Sequence, residues 1–151
     1  WGDGAELIYE AMIVGEGASN IKFCCQTYVN VQNLSYSFFC HSSSDLFGCV
    51  SLRKKQYCIL NKQYTKEEYE ILVPKIIEHM KTMPYTENGI VYTYGEFLPP
   101  SFSPFPYQIS QAQEFFPLTE SDAKAQGFLW YDIPKQDYKI TLLSSDIEDD
   151  I

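Results

Sequence analysis

The sequence predicts an α+β fold: a short β-solenoid capped by a kinked amphipathic helix, then a Pro- and aromatic-rich wrap with two short helices. Three observations carry this expectation. Side-chain types recur every dozen residues or so between Asn20 and Leu60, a long segment shows apolar residues at i, i+3, i+4 and i+7 behind a capping motif, and Pro and aromatic residues crowd positions 97–107.

The repeats come first in the chain. The strings Asn20-Ile-Lys-Phe-Cys, Asn33-Leu-Ser-Tyr-Ser, Asp45-Leu-Phe-Gly-Cys and Tyr57-Cys-Ile-Leu-Asn align with starts 13, 12 and 12 residues apart, and residues 5–14 read as an earlier row. Asn or Asp leads three rows, where a left-handed turn residue fits. Ile21, Leu34, Leu46 and Cys58 form one column, and Phe23, Tyr36, Gly48 and Leu60 another, two positions along. On a strand of period two both columns face the same way. Two rows per turn would give coils of about 25 residues, near the size of a parallel β-helix turn. The alternative is an antiparallel meander, whose strands recur at similar spacing.

The helix follows at 65–83. Thr65 and Glu68 make a capping box, with Tyr64 and Tyr69 placed as a hydrophobic staple. Tyr69, Leu72, Val73, Ile76, Ile77 and Met80 line one face, while Lys66, Glu67, Glu70, Lys75, Glu78 and Lys81 take the wet side. Pro74 has no N–H for the Glu70 carbonyl and predicts a kink, and Met83-Pro84 ends the helix. The expected role of this helix is to cover one end of the solenoid. Asn88-Gly89 then marks a turn before the alternating run 90–94. Four Pro among aromatics in 97–107 exclude helix and central strand and predict an extended segment on an apolar surface. Ser110 with Gln113, and Thr119 with Asp122, predict two short helices, with Gly127 as the second one's stop. Residues 128–131 and 139–143 are strand-like, and 144–151 form an acidic tail. The organisation is thus a repetitive β region at 1–64, a capping helix at 65–83, and an α+β region at 84–143 packed on them as one structural domain.

Composition narrows the function. A net charge of −9 and a pI near 4.6 argue against nucleic-acid binding and against anionic membrane surfaces. No apolar run approaches the ~18 residues that span a bilayer. The start at Trp1, the acidic end and the absence of a signal peptide read as a piece excised from a longer protein of the cytoplasm, and the five cysteines, an odd count, agree with reduced thiols there.

The cysteines are the first candidate site. Cys40, Cys49 and Cys58 are each nine apart, His41 adjoins Cys40, and Cys24 lies in an earlier row. Structural zinc favours pairs of the Cys-x2–4-Cys kind, which are absent, so the favoured reading is that these thiols fill space as small hydrophobes, with metal binding or a disulfide as alternatives. Cys40 and His41, adjacent in sequence, make a poor nucleophile and base, and no Gly-x-Ser-x-Gly, His-Glu-x-x-His or phosphate-cradling Gly loop is present. His79 falls at the edge of the helix's apolar face and reads as a boundary residue. Asp45, Glu96 and Glu114 are acids of the type that carbohydrate chemistry needs in pairs. Twelve Tyr, ten Phe and two Trp are the clear compositional excess, and Tyr92, Tyr94, Phe102, Phe105 and Tyr107 are the candidate binding surface, set against an aromatic-filled core.

Several strings carry a resemblance. Phe47-Gly-Cys-Val leads into the run 55–70, Val73-Pro-Lys-Ile-Ile-Glu-His-Met follows, and Gly95-Glu-Phe-Leu-Pro, Ser103-Pro-Phe, Ala112-Gln-Glu-Phe-Phe-Pro-Leu-Thr and Gly127-Phe-Leu-Trp come after it. Over most of residues 5–145 the chain resembles a Cys-rich, zinc-ribbon-associated protein family of candidate-phyla bacterial metagenomes. The resemblance implies no mechanism. Longer members carry paired cysteines that are absent here, so no ribbon zinc site transfers to any residue of this chain. The expectation is a non-catalytic structural or protein-interaction module of a larger bacterial protein, with the rest of that polypeptide or another protein as partner and no resident cofactor. The alternatives are a carbohydrate-binding or carbohydrate-active domain, and a zinc-binding module through the Cys/His residues.

Overall fold

The computed structural model describes residues 2–132 and 134. The chain forms two compact units, Trp1–Phe102 and a second that begins at Ser103. The first is mostly sheet and holds a β-solenoid of about four turns.

A three-residue period builds the solenoid. Inward side chains fall at every third position: Ala18, Ile21, Cys24 and Thr27 in one coil, then Val31, Leu34, Ser37 and Cys40 in the next, all buried. Two residues after each of these the backbone turns left-handed, with φ of 55° at Asn20, 53° at Phe23, 52° at Gln26 and 64° at Val29, then 55° at Asn33, 51° at Tyr36, 56° at Phe39 and 47° at Ser42. Each triplet is therefore one short side ending in a corner, and four sides close a coil. Non-Gly residues pay about 1–2 kcal/mol in this region, so stacking must outweigh a repeated local cost.

The stacking is parallel. Strands β1 (Glu6–Tyr9), β3 (Ser19–Lys22), β5 (Gln32–Ser35), β6 (Ser44–Phe47) and β7 (Gln56–Ile59) lie side by side, one per coil, and β2 (Met12–Val14) pairs with β4 (Cys25–Thr27) on the next side. Register sets Ile8 on Ile21, Ile21 on Leu34, Leu34 on Leu46 and Leu46 on Cys58. Parallel pairing rules out the meander. It also corrects the coil length, because one row makes a whole turn of 12 or 13 residues. The extra residue of the longer coils sits at the fourth corner, where Asn30 (φ 52°) follows Val29 and donates its backbone N–H to the Glu16 carbonyl at 3.0 Å. Outside the first corner an amide ladder helps hold the coils: Asn20 donates to Asn33 and Asn33 to Asp45, both at 2.9 Å.

The two columns expected on one face separate. The Ile21 column points inward, whereas Phe23 and Tyr36 sit at left-handed corners and form an outer layer with Phe47 and Ile59. Phe23 and Tyr36 stack at 4.7 Å. A period of three, with a turn inside every triplet, puts residues two apart on opposite sides of the wall.

Helix α1 (Lys66–Thr82) starts as expected. The Glu68 N–H donates to Thr65 Oγ1 at 3.2 Å and the Thr65 N–H to Glu68 Oε2 at 2.9 Å. Its apolar face packs on Phe23, Tyr36, Phe47 and Ile59, which belong to four successive coils. Its first turns lie against β7 of the last coil, with the Tyr57 and Tyr69 rings 5.9 Å apart, and His79 and Met80 near its end share a cleft with Tyr36. Beyond the last coil, β8 (Lys62–Gln63) pairs antiparallel with β7, and the Asn61 side-chain amide bonds Val50 N–H at 2.8 Å and Val50 O at 3.0 Å, standing in for a further strand. The hairpin of β9 (Tyr85–Glu87) and β10 (Ile90–Tyr92) turns through Asn88 and Gly89, with φ of 50° and 77°.

In the second unit, α2 (Gln111–Phe115) begins at Ser110 without the expected capping box, since Ser110 Oγ donates to the Tyr107 carbonyl at 2.7 Å and the Gln113 side chain bonds Leu118. Helix α3 (Glu120–Ala125) is capped by Thr119, and Gly127 (φ 84°) ends it, with Phe128 N–H returning to Ala123 O at 3.0 Å. Residues 128–131 are not a strand. They lie along Tyr107 and Gln108, with Tyr107 N–H donating to Leu129 O at 2.8 Å. The strand expected at 139–143 and the acidic tail at 144–151 lie outside the described residues.

Candidate functional site

The cysteines are wall fittings. Cys24, Cys40, Cys49 and Cys58 are buried inside the solenoid and all five thiols are free. Spacing of nine is three triplets, so Cys40, Cys49 and Cys58 step diagonally through successive coils. Each thiol donates to the carbonyl two residues before it: Cys24 to Lys22 at 3.1 Å, Cys40 to Phe38 at 3.4 Å, Cys49 to Phe47 at 3.5 Å and Cys58 to Gln56 at 3.6 Å. Ser37 and Ser43 do the same to Ser35 at 3.0 Å and His41 at 2.8 Å.

The same side chains also accept from the coil above. Ser37 N–H reaches Cys24 Sγ at 3.4 Å, Cys49 N–H reaches Ser37 Oγ at 3.1 Å and Asn61 N–H reaches Cys49 Sγ at 3.5 Å. Tight corners leave backbone groups facing inward, and a buried unpaired one is costly. Cys and Ser are small enough for the interior and satisfy those groups. Thr27 is the exception, its buried hydroxyl lacking a partner among the described residues.

Burial pushes the Cys24 thiol up to about 12 and raises Cys40, Cys49 and Cys58 as well. Metal binding and nucleophilic attack both need the thiolate, which this interior disfavours. His41 is turned outward from its neighbour Cys40. It stands between Tyr28, ring centroids 4.1 Å apart, and Arg53, and burial followed by the Arg53 charge lowers its basicity. Among the described residues no group of three or more His, Cys, Asp or Glu is placed to hold a metal ion. Cys24, Cys40, His41, Cys49 and Cys58 are therefore not brought together as a ligand set.

The aromatic candidates divide. Tyr92 and Phe102 line a cleft of about 200 Å³ in the first unit, with Tyr36, Tyr85, Met80 and Phe97. Tyr94 packs instead on Phe23 and Tyr36, at ring distances of 6.3 and 6.1 Å. Phe105 and Tyr107 belong to the second unit, where Tyr107 is buried, packs on Phe128 and donates its hydroxyl to Phe116 O at 2.7 Å. Of the acids, Asp45 is occupied by Asn33 and Gln56, Glu96 lines the cleft, and Glu114 is on α2.

One surface lacked a signal in the residue types alone. Coil 1 has no coil before it among the described residues: β1 pairs only with β3 and β2 only with β4. Leu7 is 73% exposed, Tyr9 55%, Met12 56% and Ile13 51%. Ala5, Ala11 and Val14 are only partly buried against the inner core. Four acids, Asp3, Glu6, Glu10 and Glu16, surround this end, and the first basic residue is Lys22.

Comparison of the chain with family models, curated proteins and solved structures gives no match. No helix among the described residues is long and apolar enough to cross a membrane.

Proposed function

We propose that the chain is a non-catalytic structural and protein-interaction module whose first coil pairs with a further polypeptide segment, supplied by the rest of its parent polypeptide or by another protein. The exposed, one-sidedly paired strands β1 and β2 carry this reading. Such edges accept a further strand through main-chain hydrogen bonds, with side-chain columns setting the register. The fitting partner is an extended segment with small or apolar residues every third position and basic residues outward, to meet Asp3, Glu6, Glu10 and Glu16. In this reading α1 and residues 97–102 act as a lateral cover for the aromatic wall and leave the end as the docking face.

The test uses a synthetic peptide with the sequence of residues 18–30 and lysine at its outward positions. The expected result is saturable binding, with amide shift changes centred on 5–14 that disappear in an Ile8→Glu, Ile13→Glu variant. Absence of binding, or binding indifferent to those substitutions, removes this face as the docking site.

A further inference from the structure

The cleft beside α1 is independent of the open coil and has its own chemistry. Its walls include Tyr85, Tyr92 and Phe102, with Tyr85 at 6.4 Å from Tyr92 and 5.7 Å from Phe102 between ring centroids. Buried Tyr36 also lines it, and Glu96 supplies an exposed carboxylate. No lysine or arginine lines it. The Tyr85 hydroxyl donates at 3.1 Å to Glu87, whose carboxylate is also held by Ser101 at 2.6 Å. Donation to an anion enriches the Tyr85 ring in electrons and strengthens the attraction of its face for a cation.

The polar side chains of the cleft are few: Glu96, Thr93, His79 and the tyrosine hydroxyls. The Thr93 hydroxyl is spent on the Met80 carbonyl at 3.2 Å. Among the described residues the Glu96 carboxylate has neither a hydrogen-bond donor nor an ion-pair partner within the chain. A primary ammonium entering here would find the Glu96 carboxylate as an acceptor but only few further polar groups to replace the rest of the water it loses. A quaternary ammonium carries no N–H, is wrapped in methyl groups, and keeps a charge that aromatic faces and one carboxylate recognise. A volume of about 200 Å³ suits a headgroup with a short tail and is small for a sugar chain.

We propose that this cleft binds a small quaternary ammonium compound, its headgroup against Tyr85, Tyr92 and Phe102 and its charge facing Glu96. Calorimetric titration with choline and with its neutral isostere 3,3-dimethylbutan-1-ol tests the assignment. Choline is expected to bind about tenfold or more tightly than the isostere. Glu96→Gln and Phe102→Leu should each weaken choline several-fold, and Glu96→Gln should leave the isostere unchanged. Far-ultraviolet spectra and melting curves of both variants report whether the fold is kept. Equal binding of the two compounds identifies an ordinary apolar crevice and overturns the proposal, as does failure of choline to bind the wild-type chain. Preference for a trimethyllysine peptide over choline, with the same dependence on Glu96, overturns the small-molecule assignment in favour of a modified polypeptide.

Discussion

Cys49 offers the sharpest trial of the wall-fitting role. Its thiol donates to Phe47 O at 3.5 Å or to Cys58 O at 3.4 Å, and its sulfur accepts Asn61 N–H at 3.5 Å. Ser37 occupies the same column one coil earlier and makes the equivalent bonds at 3.0 and 3.1 Å. Cys49→Ser therefore preserves the pattern and gives up only the greater apolarity of sulfur, a loss expected to stay within about 1 kcal/mol. Cys49→Ala removes the acceptor from a part-buried N–H, which costs about 1–3 kcal/mol, and adds a small void. Cys49→Val restores the volume and more, yet still leaves that N–H unpaired, so it should not recover the loss. Urea unfolding with a common slope is the assay. The expected order of stability is wild type, then Ser close behind, then Ala and Val together. A Ser variant as weak as Ala, or a Val variant as strong as wild type, would show that the sulfur serves by volume alone and refute the hydrogen-bonding role.

Two further outcomes follow from the interior. Because the folded Cys24 thiol holds its proton up to about 12 while an unfolded thiol ionises near 8.5, the folded state binds the proton more tightly between those values. Stability should be flat below about pH 8.5 and fall above it, by up to about 1.4 kcal/mol per pH unit for each such thiol; melting curves from pH 7 to 10 check this, and Cys24→Ser should flatten the alkaline slope. Gly15→Ala should destabilise by about 1–3 kcal/mol by chemical denaturation, because a Cβ there would lie 2.3 Å from Tyr28 Cβ, where neither coil has room to move.

The repeat was legible in the sequence, and its internal period was misread. Asn20, Asn33 and Asp45 do mark left-handed positions, and Ile21, Leu34 and Leu46 do stack in register. Reading the rows as ordinary strands put Phe23 and Tyr36 inside, because period two is what strand physics suggests. The clue to period three was present in Ala18, Ile21, Cys24 and Thr27, and in the nine-residue spacing of Cys40, Cys49 and Cys58. Left-handed backbone at Leu7, Ile13 and Val29 contradicts their local preference, so no propensity could have announced those corners. Helix α1 was legible in its cap and its apolar face, whereas its partner surface depended on which way the aromatic column faced. Four of the five thiols, at Cys24, Cys40, Cys49 and Cys58, lie in the interior, but their bonds to the backbone depend on corners that the sequence does not announce. The cleft was half visible: Tyr92 and Phe102 were in the aromatic set, while Tyr85 and Tyr36 join them only through the fold.

The slack residue at the fourth corner bears on how this chain tolerates changes in length. Coils with Gly17 or Asn30 there run to thirteen residues, and those without run to twelve, yet all keep one register. A codon gained or lost at that corner is absorbed locally, like a loose link in a chain drive. The same event on any other side would shift every later triplet by one, turning Leu46 and Cys49 toward water and neighbours such as Asp45 into the interior. Lineages of such proteins should accordingly gather their insertions and deletions along a single longitudinal seam.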